Sequence, residues 1–311
     1  MDYNLCKRFD TLRNFLPDES GKSTEYDFHC NGNIKDYCPN QNCNTDLDKI
    51  NAACLWLFDQ LFVRNKKNIN IVEYIIIWLS YKLSQKSHEG INNLNDFYEA
   101  RIKNNTHYTN CNNDRGDCSN ILKGSTGCKN YKEIIDNKKE LLNINFEYVS
   151  KLYDVFKSLC KMYTEIGGDD TKNKKYLENA KNFVEKYENL NNDSNNTKDS
   201  IYYQVLSTLS SDYNNFKNYC KEYSFNCDDI QPLSPIKIKE NSVQYSGQKS
   251  EVTSSSSSIT NKLIPVLSII VALPIFLGIF YKVNNKEFIN YLHDYLYAII
   301  KKYIICLPFL Y

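Results

Sequence analysis

Apolar positions recur with a period near 3.6 through most of the first 220 residues, which predicts helices rather than strands. In 44–62, Leu47, Ile50, Cys54, Leu57, Phe58 and Leu61 share one helical face behind the capping-type residue Asn44. The stretch 70–83 is apolar on most sides. Its β-branched content suits a strand, but its length and the spacing of Val72, Ile76, Leu79 and Leu83 predict a central core helix. A shorter helix is expected over 93–102. Three long amphipathic helices follow. The first runs through Phe146, Val149, Leu152, Phe156, Leu159 and Tyr163 and stops at Gly167-Gly168. The second covers 176–190 with Ala180 and Tyr187 on its apolar face, and the third carries Ile201, Val205, Leu209, Tyr213, Phe216 and Cys220. A polar loop punctuated by Gly116, Gly124 and Gly127 separates the two groups. The expected fold class is all-α, a disulfide-stapled helical bundle followed by a disordered stalk and one C-terminal transmembrane helix.

The pattern changes after residue 230. Residues 231–262 hold Pro232, Pro235 and an unbroken serine run from 254 to 258, with no apolar period, and read as a flexible linker. The 18 residues 263–280 then carry no charge. As a helix rising about 1.5 Å per residue they cover roughly 27 Å, close to the bilayer hydrocarbon core. Pro265, Pro274 and Gly278 are better tolerated in such a span than in a soluble helix. The predicted organisation is a cysteine-rich helical ectodomain over 1–230, a linker over 231–262, a membrane helix over 263–281 and a short amphipathic cytosolic tail over 282–311. In that tail Phe288, Leu292, Tyr295, Leu296, Ile299 and Tyr303 line one face, suited to lying on a membrane surface.

The chain has a formal net charge of +1, so no strong field draws it to nucleic acid or to an acidic partner. Its expected physical partner is the lipid bilayer. Lys282, Lys286, Lys301 and Lys302 follow the span closely, against Lys249 and Lys262 before it, which places the tail in the cytosol and the large domain outside. Residues 1–10 lack the apolar core of a secretory leader, so translocation is expected to rely on the late span or on an unrecognised signal.

Twelve cysteines sharpen this reading. Cys6, Cys30, Cys38, Cys43, Cys54, Cys111, Cys118, Cys128, Cys160, Cys220 and Cys227 precede the span and are the candidate disulfide residues; Cys306 follows it as a candidate palmitate acceptor, with an inert thiol as the alternative. Cys-x-x-Cys pairs are absent and no second histidine lies near His29, so a zinc site is not expected. Eleven is odd, which leaves at least one thiol on that side free or paired between chains. Connectivity stays open, with Cys220–Cys227 and Cys111 to either Cys118 or Cys128 as candidate local pairs.

Catalytic chemistry finds little foothold. His29, His88, His107 and His293 sit in polar surroundings without a supporting motif, and 124–129 lacks the spacing and preceding strand of a phosphate loop. Gly167-Gly-Asp-Asp170 reads as a helix stop rather than a metal loop. No catalytic residue, metal or cofactor is expected. Sequons at Asn104, Asn192 and Asn195 carry little weight in so asparagine-rich a chain.

Cys54-Leu-Trp-Leu-Phe58, Tyr74-Ile-Ile-Ile-Trp-Leu-Ser-Tyr81, Gly90-Ile-Asn-Asn-Leu-Asn-Asp-Phe-Tyr98 and Leu159-Cys-Lys-Met-Tyr163 resemble stretches of the Plasmodium interspersed repeat (PIR) proteins. The stretches 177–187 and 206–213, with Ile264-Pro-Val-Leu and Pro274-Ile-Phe-Leu-Gly278, extend the resemblance to about residue 282. It implies a non-enzymatic variant antigen of a multigene family, anchored in membranes of infected erythrocytes and linked to antigenic variation and immune evasion. The long apolar tail departs from a short basic segment after the span. Two further readings are an adhesin for a host receptor, which needs an exposed apolar or aromatic patch, and a tail-anchored cytosolic adaptor with reduced thiols. The loops 104–129 and 189–198 are the expected variable surface.

Overall fold

The computed structural model describes residues 1–19, 32–113, 116–166, 175–193, 200–223 and 225–237. The chain divides into two units, Met1–Ser242 and Val243–Tyr311. The expected membrane helix, the tail with Cys306, most of the linker, and Cys30 lie outside the described residues. No helix among those described is long and apolar enough to cross a membrane.

Eleven α-helices are described: α1 (Tyr3–Phe15), α2 (Gly32–Lys35), α3 (Asp46–Phe58), α4 (Val72–Ser84), α5 (Leu94–Phe97), α6 (Thr106–Thr109), α7 (Ser119–Thr126), α8 (Tyr131–Asp136), α9 (Phe146–Ile166), α10 (Lys175–Asn191) and α11 (Ile201–Glu222). A two-residue antiparallel ladder, β1 (Asn112–Asn113) with β2 (Gly116–Asp117), interrupts them between α6 and α7. The dominance of helix follows from the period, and α3 starts where its chemistry allows. Thr45 accepts from the Asp48 amide while the Asp48 carboxylate accepts from the Thr45 amide, a closed capping box.

The amphipathic α9 packs against α1, α4, α10 and α11, so its wide apolar face is covered on several sides. Phe156 marks the meeting point of three helices. Its ring stacks on Tyr74 of α4 at 4.7 Å between centroids and meets Phe9 of α1 edge-on at 4.9 Å. Much of the core is tyrosine, and several of these side chains bury their ring while the hydroxyl finds an acceptor. Tyr74 donates to the Asp212 carboxylate at 2.5 Å, Tyr163 to the Asp212 carbonyl at 2.8 Å, and Tyr213 to the Gln231 carbonyl at 2.7 Å.

Four features differ from the sequence expectation. α1 occupies a segment for which no helix is expected. Residues 111–128 are more than a loop, because they hold the ladder and α7, which stops at Gly127 in the left-handed region (φ 79°) that glycine adopts without strain. The helices expected over 44–62 and 93–102 each end in a π-turn, at Asp59–Arg64 and Tyr98–Ile102. There the Asn65 and Lys103 amides reach back five residues, to the Gln60 and Tyr98 carbonyls. Finally, 231–237, assigned from composition to the linker, are held against α10 and α11: the Asn191 amide donates to the Pro235 carbonyl at 3.0 Å, and the Ser234 amide and hydroxyl both donate to Glu188. Asn191 is therefore fully buried, inside a loop expected to be surface.

Candidate functional site

Eight of the eleven candidate cysteines form four bridges. Cys6–Cys160 ties α1 to α9 across 154 residues of sequence, while Cys38–Cys43, Cys111–Cys118 and Cys220–Cys227 close short local loops. Cys111 thus pairs with Cys118 rather than Cys128, and the bridge closes the chain around the β1–β2 ladder.

Cys54 and Cys128 are free thiols, a correction to their candidacy as bridge residues. Cys54 sits in the middle of α3 with no exposure, turned into the core beside Tyr108. Burial pushes its thiol up to about 12, outweighing the lowering by the Tyr108 hydroxyl. The Cys128 sulfur accepts from Asn137 Nδ2 at 3.2 Å, and burial raises its thiol as well. Since the thiolate is the reactive form, Cys54 is expected to resist iodoacetamide at pH 8 in the native protein and to be carboxamidomethylated only after unfolding, as read by peptide mass spectrometry. Labelling of Cys54 in the folded state at the rate of a free peptide thiol would contradict its placement.

The bridged loop also forms one wall of a polar cavity of about 330 Å³. The π-turn after α3 supplies Asp59 and Arg64, α6 and the residue after it supply Thr106, His107 and Asn110, β1 supplies Asn112 and Asn113, and the turn after α2 supplies Asp36 and Tyr37. Asp59 is the anchor. Its carboxylate is only 2% exposed and accepts from Arg64 Nε at 2.5 Å, Asn113 Nδ2 at 2.9 Å and Gln60 Nε2 at 3.3 Å. A buried carboxylate is tolerated there because each oxygen is matched by a donor, one of them cationic. The extra residue of the π-turn sets the register that brings Asp59 and Arg64 to the same opening, a common use of such turns. At the rim, the Tyr37 and His107 rings meet edge to face at 6.0 Å.

Tyr131 is not among the residues that line the cavity; it is 1% exposed, and its hydroxyl has no hydrogen-bond partner among the described residues. Burial raises its phenol, Tyr37 and Asp59 add to the rise, and Arg64 opposes it. Apart from His107, noted only as a histidine without a motif, these residues were not legible as a site. The one signal is Asp59-Gln60 inside the otherwise apolar run 52–63, since a carboxylate in a buried helix must find partners. Among the described residues no three His, Cys, Asp or Glu side chains converge in a way that would hold a metal ion.

The architecture defines a helical domain stapled by four disulfides. The family described as Plasmodium variant antigen protein Cir/Yir/Bir matches residues 6–282, so the chain belongs to that family. A solved Plasmodium PIR protein ectodomain is similar in fold, with a TM-score of 0.57 and 30% sequence identity over 76% of this chain and 98% of that one. No curated protein matches the chain.

Proposed function

We propose that this protein is a membrane-anchored variant antigen, without enzymatic activity, that displays its bridged helical domain on the non-cytosolic side of infected-erythrocyte membranes and serves antigenic variation and immune evasion. The observation that carries the reading is the family match over 6–282, which runs through the charge-free segment 263–280. The likeness to an ectodomain and the four disulfides support it, because such bridges persist in oxidising compartments. Its partners in this reading are the lipid bilayer and host antibodies. A cross-linked core lets surface residues of 104–129 change at little cost to the fold, as loop positions away from the buried Tyr108, Cys111, Cys118 and Leu122 carry few packing constraints.

The bridges weigh against the cytosolic adaptor. An adhesin working through an apolar patch has little support among the described residues, where the large exposed hydrophobic side chains are Ile121 and Tyr223.

Infected-cell membranes washed in alkaline carbonate should retain the chain in the pellet, and protease added to the non-cytosolic side should remove the domain while sparing an epitope placed after residue 282. Release by carbonate, or a digested tail beside a protected domain, would refute the anchoring and its orientation.

A further inference from the structure

The cavity between the π-turn, α6 and β1 is built for a particular chemistry, and we propose that it binds a neutral sugar ring, such as the terminal residue of a glycan. The proposal stands on the geometry of the cavity and does not depend on which membrane holds the chain.

Size comes first. A volume of about 330 Å³ sits at the lower end of small-molecule sites, room for one or two sugar rings rather than for a folded partner. Charge then narrows the class. Asp59 is already neutralised by Arg64 at 2.5 Å, and the remaining formal charge, Asp36, is exposed to solvent. Phosphate or carboxylate ligands would meet a net negative wall, whereas a cation would find only one screened carboxylate. A neutral ligand suffers neither cost.

Hydrogen bonding points the same way. Asn110 and Asn112 stand exposed at the opening, and each amide offers both donors and an acceptor. Adjacent hydroxyls of a sugar also donate and accept, so paired amides complement them where a purely acidic or basic wall would not. Asp59 holds the Asn113 amide in a fixed position, which reduces the ordering cost of binding. The Tyr37 and His107 rings provide the apolar surface on which the C–H face of a sugar can rest.

The test uses the full chain in lipid nanodiscs, free of glycosidic detergent, with the methyl glycosides of galactose, glucose, mannose and N-acetylgalactosamine as probes. Saturation-transfer NMR should show binding of at least one glycoside at millimolar concentration. Asn110→Ala and Asn112→Ala should each weaken it about fivefold or more, as expected for loss of a hydrogen bond to the ligand. Asn110 and Asn112 are both exposed, so both chains should fold; unchanged thermal midpoints confirm it. Absence of transfer from every glycoside overturns the proposal, as does a signal that neither substitution alters. Binding of inorganic phosphate or of N-acetyl-lysine methyl ester in place of the glycosides also overturns it, by showing a charge-selective site. Carbonate release of the chain would sink the anchored-antigen reading and leave this one intact.

Discussion

Replacing Cys6 and Cys160 together by alanine should lower the unfolding free energy by about 5 kcal/mol, the largest loss expected from removing any one of the four bridges. The reason is the loop each bridge closes in the unfolded chain. Cys6–Cys160 spans 154 residues, whereas Cys38–Cys43 spans 5 and Cys111–Cys118 and Cys220–Cys227 span 7 each. Chain entropy gives roughly 2 kcal/mol for the short loops and about 5 kcal/mol for the long one. The two local bridges nested inside the long loop shorten its effective length by about ten residues, which changes that figure little. Alanine is the right replacement, since both cysteines are buried and serine would leave a hydroxyl in the core. Urea unfolding of the solubilised chain, followed through the buried Trp56 and Trp78, measures the effect. Cys220→Ala with Cys227→Ala is the comparator. If the long-range pair costs no more than this short-range pair, loop closure is not what the Cys6–Cys160 bridge contributes.

The main helices are legible in the chain because their apolar stripes are strong. The faces through Phe156 in α9, Phe183 in α10 and Leu209 in α11 are all buried, and the run 72–79 is covered on every side, as its lack of a polar stripe implies. α1 is harder to see. Leu5, Cys6, Phe9 and Leu12 make its buried face, but Lys7, Arg8, Asp10 and Arg13 fall between them, and the segment invites comparison with a leader rather than with a core helix. The π-turns are invisible for a different reason: one extra residue in a helix end shifts the apolar register too little to break the pattern over so short a stretch.

The cavity escapes a motif search because its residues come from three separate stretches of chain, 36–37, 59–64 and 106–113. Neighbouring residues within each stretch have no spacing that signals chemistry. Only the fold brings them together, and only the carboxylate of Asp59 in a buried run hints that such a meeting must occur. Cysteine pairing shows the same limit. Short separations suggest Cys220 with Cys227, but nothing local links Cys6 to Cys160, which face each other only because α1 lies on α9.

Asp18→Asn should cost about 3 kcal/mol at pH 7, and the difference from the wild type should shrink as the pH falls from about 4 towards 2. Asp18 is 7% exposed just beyond α1, and it gathers charges from three helices. One carboxylate oxygen accepts from Lys82 Nζ of α4 and from the Tyr153 hydroxyl of α9, each at 2.9 Å; the other accepts from Lys157 Nζ at 2.6 Å and from Arg13 Nε at 3.1 Å. Lys82, 3% exposed on its side chain, also donates to the Leu16 and Pro17 carbonyls, so the cluster fixes the path of the chain as it leaves α1. Burial alone would push the Asp18 carboxyl up, but Lys82, Lys157 and Arg13 outweigh it and hold the group at about 2, below its ordinary value of 3.8. A carboxyl whose folded value is depressed adds stability above its unfolded value, and that contribution, worth about 2 kcal/mol here, is lost as the pH falls through the folded value. Burial in turn pushes the Lys82 ammonium down while Asp18 opposes it, so a neutral amide in place of the Asp18 carboxylate would leave a buried cation without its counter-charge. Urea unfolding of wild type and Asp18→Asn at pH 7, 4 and 3 reads both parts of the expectation. A difference that stays the same at all three values would show that the side chain matters for shape alone, and one below about 1 kcal/mol at pH 7 would show that Arg13, Lys82 and Lys157 find other partners.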